Sequence, residues 1–79
     1  MFTKETAQAI KTAIDNAPRN AYVAELHLQV IKYAEELRNV SGQEFCEEIK
    51  IPTSYGTEFK KMLKIAPRLK SAGLDVSKI

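Results

Sequence analysis

The sequence has little of what builds disulfides, flexible linkers or membrane spans. Its 79 residues include one cysteine, Cys46, with three glycines and three prolines. A lone cysteine excludes an intramolecular disulfide and favours a reducing compartment. No apolar run approaches the roughly 20 residues that a membrane helix needs, and residues 1–10 are too polar for a signal peptide. We therefore expect a soluble, cytoplasmic protein that forms a single domain over residues 1–79.

The side chains that catalysis needs are also scarce. His27 is the only histidine, and no second histidine or cysteine stands at metal-ligand spacing from it. Cys46 is followed by Glu47 and Glu48, whose negative charges disfavour a reactive thiolate. The sequence contains no glycine-rich phosphate loop and no nucleophile elbow. We predict that the protein is not an enzyme and that it uses no metal or cofactor.

Apolar residues recur at helical spacing throughout, and no segment alternates long enough to predict a strand. The predicted fold class is therefore all-α, a compact bundle of four to five helices. The first helix is expected at Lys4–Asn16, with Thr3 as its N-cap. The second helix, Arg19–Arg38, is the longest and would measure about 30 Å. Its apolar seam is Val23, Leu26, Val30, Ala34 and Leu37.

The third helix has the clearest start signal. Ser41 and Glu44 form the two ends of a capping box, in which the serine hydroxyl accepts from the Glu44 amide and the glutamate reaches back. The helix is expected to stop near Lys50, because Pro52 disfavours a helical conformation for the residue before it.

A fourth helix is predicted at about Ser54–Ile65. Pro67 is expected to break or kink the chain after it, because proline has no backbone N–H and clashes with the preceding turn. A final short turn of helix would then close at Gly73, which can take the left-handed conformation of a Schellman cap. Leu74 would fold back onto the core.

Four apolar residues have the spacing that holds two crossing helices together across a tight turn: Phe45, Ile49, Ile51 and Phe59. Cys46 occupies a position where a small side chain is required, because the second helix crosses close above it. On these residues, the segment Gly42–Lys61 resembles the helix-turn-helix DNA-binding motif. With its capping box and the rest of its second helix, the motif is placed at about residues 41–65.

Two positions depart from the motif. Lys50 stands where the turn glycine is usual, so it would have to adopt a left-handed conformation at about 1 kcal/mol or more. Gly56 stands where a branched anchor is usual, and it lowers helix propensity by a similar amount relative to alanine. Either the turn has a different shape in this chain, or Ser54–Gly56 is itself a turn and the second helix begins near Thr57.

Charge is distributed unevenly along the chain. Between Lys50 and Lys70 there are six basic residues and one acid, whereas residues 1–49 contain five basic and eight acidic residues. The formal net charge of +2 therefore hides a basic segment that would attract a nucleic-acid backbone. A well-solvated helix face is the alternative interpretation of the same lysines.

The resemblance implies a small DNA-binding transcriptional regulator, with double-stranded DNA as its partner. The residues expected to face base edges in the major groove are Thr53, Ser54, Thr57, Glu58 and Lys61. The residues expected to contact phosphates are Tyr55, Lys60, Lys64, Arg68 and Lys70.

A protein–protein interaction module is the rival hypothesis. In that case a small phage or bacterial protein, antitoxin-like or accessory, would dock its basic face on an acidic partner. The wide apolar surface of the second helix also raises the hypothesis of a homodimer, with a contact that involves Leu28, Ile31 or Tyr33. A central helix in a monomer would explain the same three residues.

Overall fold

Buried side chains from every α-helix meet around a stack of phenylalanine rings. In the computed structural model, which describes residues 2–79, the rings of Phe45 and Phe59 stack with centroids 4.3 Å apart, and Phe2 packs against Phe45 at 6.0 Å. The five helices are α1 (Lys4–Asn16), α2 (Tyr22–Lys32), α3 (Ala34–Leu37), α4 (Gly42–Ile49) and α5 (Gly56–Ser71). Three 3-10 turns lie at Arg19–Ala21, Thr53–Tyr55 and Val76–Lys78, and residues 2–79 include no strand. The predicted all-α class is confirmed.

Helix α1 has the predicted bounds and the predicted cap. The Thr3 hydroxyl accepts a hydrogen bond of 3.1 Å from the Thr6 amide, which satisfies one of the free N–H groups at the helix start. Ile10 and Ile14 are one turn apart, and both are buried against the core.

The single long helix predicted at Arg19–Arg38 is wrong in two places. Its first residues form a 3-10 turn, and the α-helix is interrupted at Tyr33, which has φ −103° and ψ 19°. No glycine or proline marks the interruption, so the sequence carries no local signal for it. The break places the Tyr33 ring against the core, while Val23, predicted in the apolar seam, is left 39% exposed.

After the break, α3 is tied to the start of α1 through Glu36. Its carboxylate accepts hydrogen bonds from the Thr3 amide at 3.0 Å and from the Thr6 hydroxyl at 2.9 Å. The bond from the Thr3 amide, with help from the threonine hydroxyls, holds the pKa of the Glu36 carboxyl below its usual value. These contacts join residues that are 33 and 30 positions apart in the sequence.

Proline does not end the last helix. Helix α5 continues through Pro67 to Ser71, so the predicted break is wrong. Pro67 is exposed, and the carbonyl that it leaves without a partner can be solvated, while the neighbouring Ala66 is fully buried and keeps the helix in place.

The predicted Schellman cap closes α5. Gly73 has φ 110°, its amide donates to the Lys70 carbonyl, and the Leu74 amide donates to the Leu69 carbonyl, both at 3.0 Å. Leu74 remains 37% exposed, so it covers the core less than expected. None of the helices in the described part of the chain has the length and apolarity to cross a membrane.

Candidate nucleic-acid interface

A left-handed lysine terminates α4 and begins the turn to α5. The Ser41 hydroxyl caps the start of α4 by accepting from the Glu44 amide at 3.0 Å, as predicted. Among the hydrogen bonds of residues 2–79, the predicted return contact from the Glu44 side chain does not occur. At the other end, Lys50 has φ 64° and ψ 48°, which confirms the conformation expected from its place in the motif. The Ile51 amide then donates to the Cys46 carbonyl at 3.0 Å, the bond that defines a Schellman ending.

Two glycines set the distance between α4 and α5. A Cβ atom added at Gly42 would lie only 3.0 Å from the Cα of Gly56, so the two backbones are in direct contact. Gly56, which stands where a branched anchor is usual, therefore packs through its backbone, because the absent side chain is what permits the close approach. Gly56 is the first residue of α5 and follows a 3-10 turn at Thr53–Tyr55. The helix therefore starts one residue earlier than Thr57, the start expected if Ser54–Gly56 formed a turn.

The apolar anchors of the motif are all buried, which confirms their predicted role. Phe45 and Phe59 are fully buried and stack on each other, and Ile49 and Ile51 are 1% and 7% exposed. Cys46 is also fully buried, and this burial, followed by the charge of Glu47, raises the pKa of its thiol. The anchors fix α5 so that the side opposite Phe59 faces solvent.

Five of the predicted contact residues lie on that solvent side, which we call the outer face of α5: Thr57, Lys60, Lys61, Lys64 and Arg68. All five are exposed. At 3.6 residues per turn they follow one another along a single side of the helix, over about 16 Å from first to last. Lys60, Lys64 and Arg68 form no ion pair with any described residue. The outer face is therefore a continuous strip of positive charge.

The one acid of α5 lies toward α2. Glu58 is half-buried, and its Oε1 atom accepts a hydrogen bond of 2.9 Å from Nε2 of His27. Its other oxygen lies 3.8 Å from Nζ of Lys61. Glu58 was predicted to face base edges, and the structure instead places it in a contact that attaches the start of α5 to α2.

The turn before α5 carries the remaining predicted residues of this region. Thr53 and Ser54 are exposed at the entrance to the helix, next to the outer face. Tyr55 is half-buried, and its ring lies 5.9 Å from the ring of Tyr22, so its contact to a phosphate would have to come from the hydroxyl. The pKa of the Tyr22 phenol is raised mainly by burial, and the electrostatic effect of the neighbouring Tyr55 raises it further.

Lys70 lies apart from the outer face. Its Nζ atom is 3.7 Å from Oε2 of Glu35 on α3, across a groove between α3 and α5. Arg38 lines the same groove together with Lys60 and Lys64, and no sequence pattern pointed to it, because it precedes the basic segment. Lys50, exposed at the turn, and His27, which positions Glu58, were likewise not among the predicted site residues.

Helix α4 carries exposed negative charge of its own. Glu47 and Glu48 are exposed, and Oε2 of Glu47 accepts a hydrogen bond of 3.2 Å from Gln43. A polyanion would be repelled by these carboxylates. The arrangement therefore favours an approach of a polyanion along α5 rather than along α4.

The chain matches a known protein family. A family model described as an HTH-like domain matches residues 3–72, which is most of the chain, so the protein belongs to this family. This confirms the helix-turn-helix resemblance, and the fold is of the type that DNA-binding regulators use. Searches of curated proteins and of solved structures found no match.

Proposed function

We propose that this member of the HTH-like domain family binds double-stranded DNA with the outer face of α5 and acts as a small transcriptional regulator. The observation that carries the proposal is the exposed strip of Lys60, Lys61, Lys64 and Arg68 on the helix that follows the turn. A helix presented in this way fits the major groove, with Ser54 and Thr57 near base edges and the basic residues near phosphates. Lys61, which the sequence placed at base edges, is assigned here to the phosphates because it lies in the same strip as Lys60 and Lys64.

The burial pattern supports this use of α5. One side of α5 packs into the core through Phe59 and Ala66, both almost completely buried. The only acid of the helix, Glu58, contacts His27 and Lys61, so within the strip it offsets the charge of Lys61 alone. Since Lys60, Lys64 and Arg68 are unpaired within the described residues, their charge is free to displace counterions from a phosphate backbone.

The proposed action is binding without catalysis. Cys46, the most nucleophilic side-chain type in the chain, is fully buried and its thiol pKa is raised, so at neutral pH it is a protonated packing residue. The regulator would then work by occupying its site or by recruiting a partner.

A homodimer on two half-sites is part of the proposal, because helix-turn-helix proteins commonly bind with their recognition helices about 34 Å apart. Of the three residues predicted at its contact, Ile31 is buried within the chain and Tyr33 packs on the core. Leu28 is 44% exposed and is the residue that such a contact would use.

The function is tested by reversing charge on the outer face. We expect the double variant Lys61→Glu and Lys64→Glu to weaken binding to a mixed-sequence duplex of about 20 base pairs by more than about tenfold. Affinity would be measured by fluorescence anisotropy, with circular dichroism to show that helicity is retained.

The matched control reverses two exposed lysines elsewhere, Lys4→Glu and Lys78→Glu, which changes the net charge equally. This control should retain most of the affinity. If both double variants lose the same affinity, only the total charge matters and the outer face is not the binding surface. If neither loses more than about twofold, DNA binding is not its function.

A further inference from the structure

A groove with an apolar floor lies between α3 and the second half of α5. Its volume is about 250 Å³, and its floor is formed by Ala34, Leu63, Ala66 and Pro67. Ala66 is buried and Leu63 is half-buried, so the floor is continuous with the packed interior. Pro67 has no N–H, and the Leu63 carbonyl therefore lacks its usual helical donor.

The rim of this groove is strongly basic. Arg38, Lys60, Lys64 and Lys70 surround the floor, and Glu35 is the only acid that lines it. Glu35 lies 3.7 Å from Lys70, and both side chains are exposed, so this ion pair is weak and an incoming carboxylate can compete for the lysine. Four cations and one acid around an apolar floor call for a ligand with an apolar anchor and several negative charges.

We propose that this groove binds an acidic amphipathic helix of a partner protein, with one apolar side chain on the floor and carboxylates against the rim. The volume is below the 300–1,000 Å³ typical of sites for whole small molecules, which favours an anchor side chain. The rim extends from Lys60 to Lys70, about 15 Å along α5, which matches the contact length of a short docked helix.

The groove shares two lysines with the outer face of α5. Lys60 and Lys64 belong to both, whereas Arg38 and Lys70 line only the groove, and Lys61 and Arg68 lie only on the outer face. A partner helix bound in the groove would therefore occupy charges that DNA needs. It follows that the partner displaces DNA, a consequence that rests on the proposed function, whereas the groove itself does not.

The test uses a fluorescent peptide of about 15 residues, built as a helix with one leucine between glutamates on the same face. The control peptide has glutamine in place of each glutamate. We expect the acidic peptide to bind the full chain and the glutamine peptide to bind at least about tenfold more weakly. Unlabelled acidic peptide should also raise the concentration of protein needed to bind duplex DNA.

Two double variants distinguish binding in the groove from binding on the outer face of α5. Arg38→Gln with Lys70→Gln should weaken the acidic peptide about tenfold and should lower DNA affinity by a clearly smaller factor than the second pair does. Lys61→Gln with Arg68→Gln, which removes the same charge, should do the reverse. Circular dichroism would show that both variants keep their helicity.

Equal binding of the two peptides would overturn the proposal, and so would equal loss of peptide affinity in the two variants, because attraction would then be spread over the whole basic surface. Sedimentation equilibrium tests whether a second copy of the chain fills the groove. A dimer that the Arg38 and Lys70 substitutions dissociate would show this, and it would also contradict the proposal. If the peptide binds as expected but the parent protein fails to bind DNA, the groove stands and the proposed function fails.

Discussion

At the scale of single residues, Lys50 has a strained backbone conformation at the turn between α4 and α5. It is the only residue other than glycine with positive φ among those described, and it ends α4 in the conformation that glycine usually supplies. Because the Ile51 amide bonds to Cys46 across it, and Ile51 is buried, the surrounding packing holds the lysine in place. The resemblance to the motif implied this conformation only for a turn of the usual shape, and a differently shaped turn was the alternative.

We predict that Lys50→Gly stabilises the fold by about 0.5–1 kcal/mol. Relief of left-handed strain gains about 1–2 kcal/mol, and the extra freedom of glycine in the unfolded chain offsets about 0.5–1 kcal/mol of it. Urea unfolding would measure the change. Lys50→Ala is the control, since it removes the charge but keeps the strain, and its midpoint should not rise. A midpoint for Lys50→Gly at or below that of the parent would mean that Lys50 is unstrained.

At the scale of elements, the sequence predicts where helices begin more reliably than whether a helix continues without a break. Helices α1 and α4 begin where Thr3 and Ser41 predict, because each cap is a local contact between neighbours in the chain. The interruption at Tyr33 and the passage of α5 through Pro67 could not be predicted, because no glycine or proline marks the first and the local rule for proline argues against the second. The contact between α4 and α5 belongs to the same class, since nothing local shows that Gly42 and Gly56 meet.

That contact yields an asymmetric prediction. A Cβ at Gly42 would lie 3.0–3.3 Å from the backbone of Gly56, so Gly42→Ala should push the helices apart and destabilise the fold by about 1–3 kcal/mol. A Cβ at Gly56 would approach no closer than 3.4 Å, an ordinary contact, and alanine favours the helix. Gly56→Ala should therefore be neutral or stabilise by up to about 1 kcal/mol.

Thermal or urea unfolding of the two variants side by side gives the comparison, with each acting as the control for the other. The prediction fails if both substitutions destabilise the protein equally, because the helices would then be further apart or differently aligned at this crossing.

At the scale of the whole molecule, most basic residues of the Lys50–Lys70 segment lie together on one exposed surface. The basic residues between Lys50 and Lys70 could be predicted as a cluster, and helical periodicity placed most of them on one side of α5. What the sequence could not show is where the exceptions go. His27 reaches Glu58 from 31 residues away, and Arg38 joins Lys60 and Lys64 at the groove, because the bundle brings α2 and α3 against α5.

DNA binding by α5 is tested most directly by the salt dependence of duplex binding by the parent protein. Four phosphate-neutralising side chains on the outer face (Lys60, Lys61, Lys64 and Arg68) predict that the logarithm of the binding constant falls with the logarithm of salt concentration at a slope of about −3.6 per chain. Between 50 and 200 mM salt the affinity should then drop on the order of 100-fold. A slope near zero, or no binding even at the lower salt concentration, would contradict the claim that this helix is a DNA-binding surface.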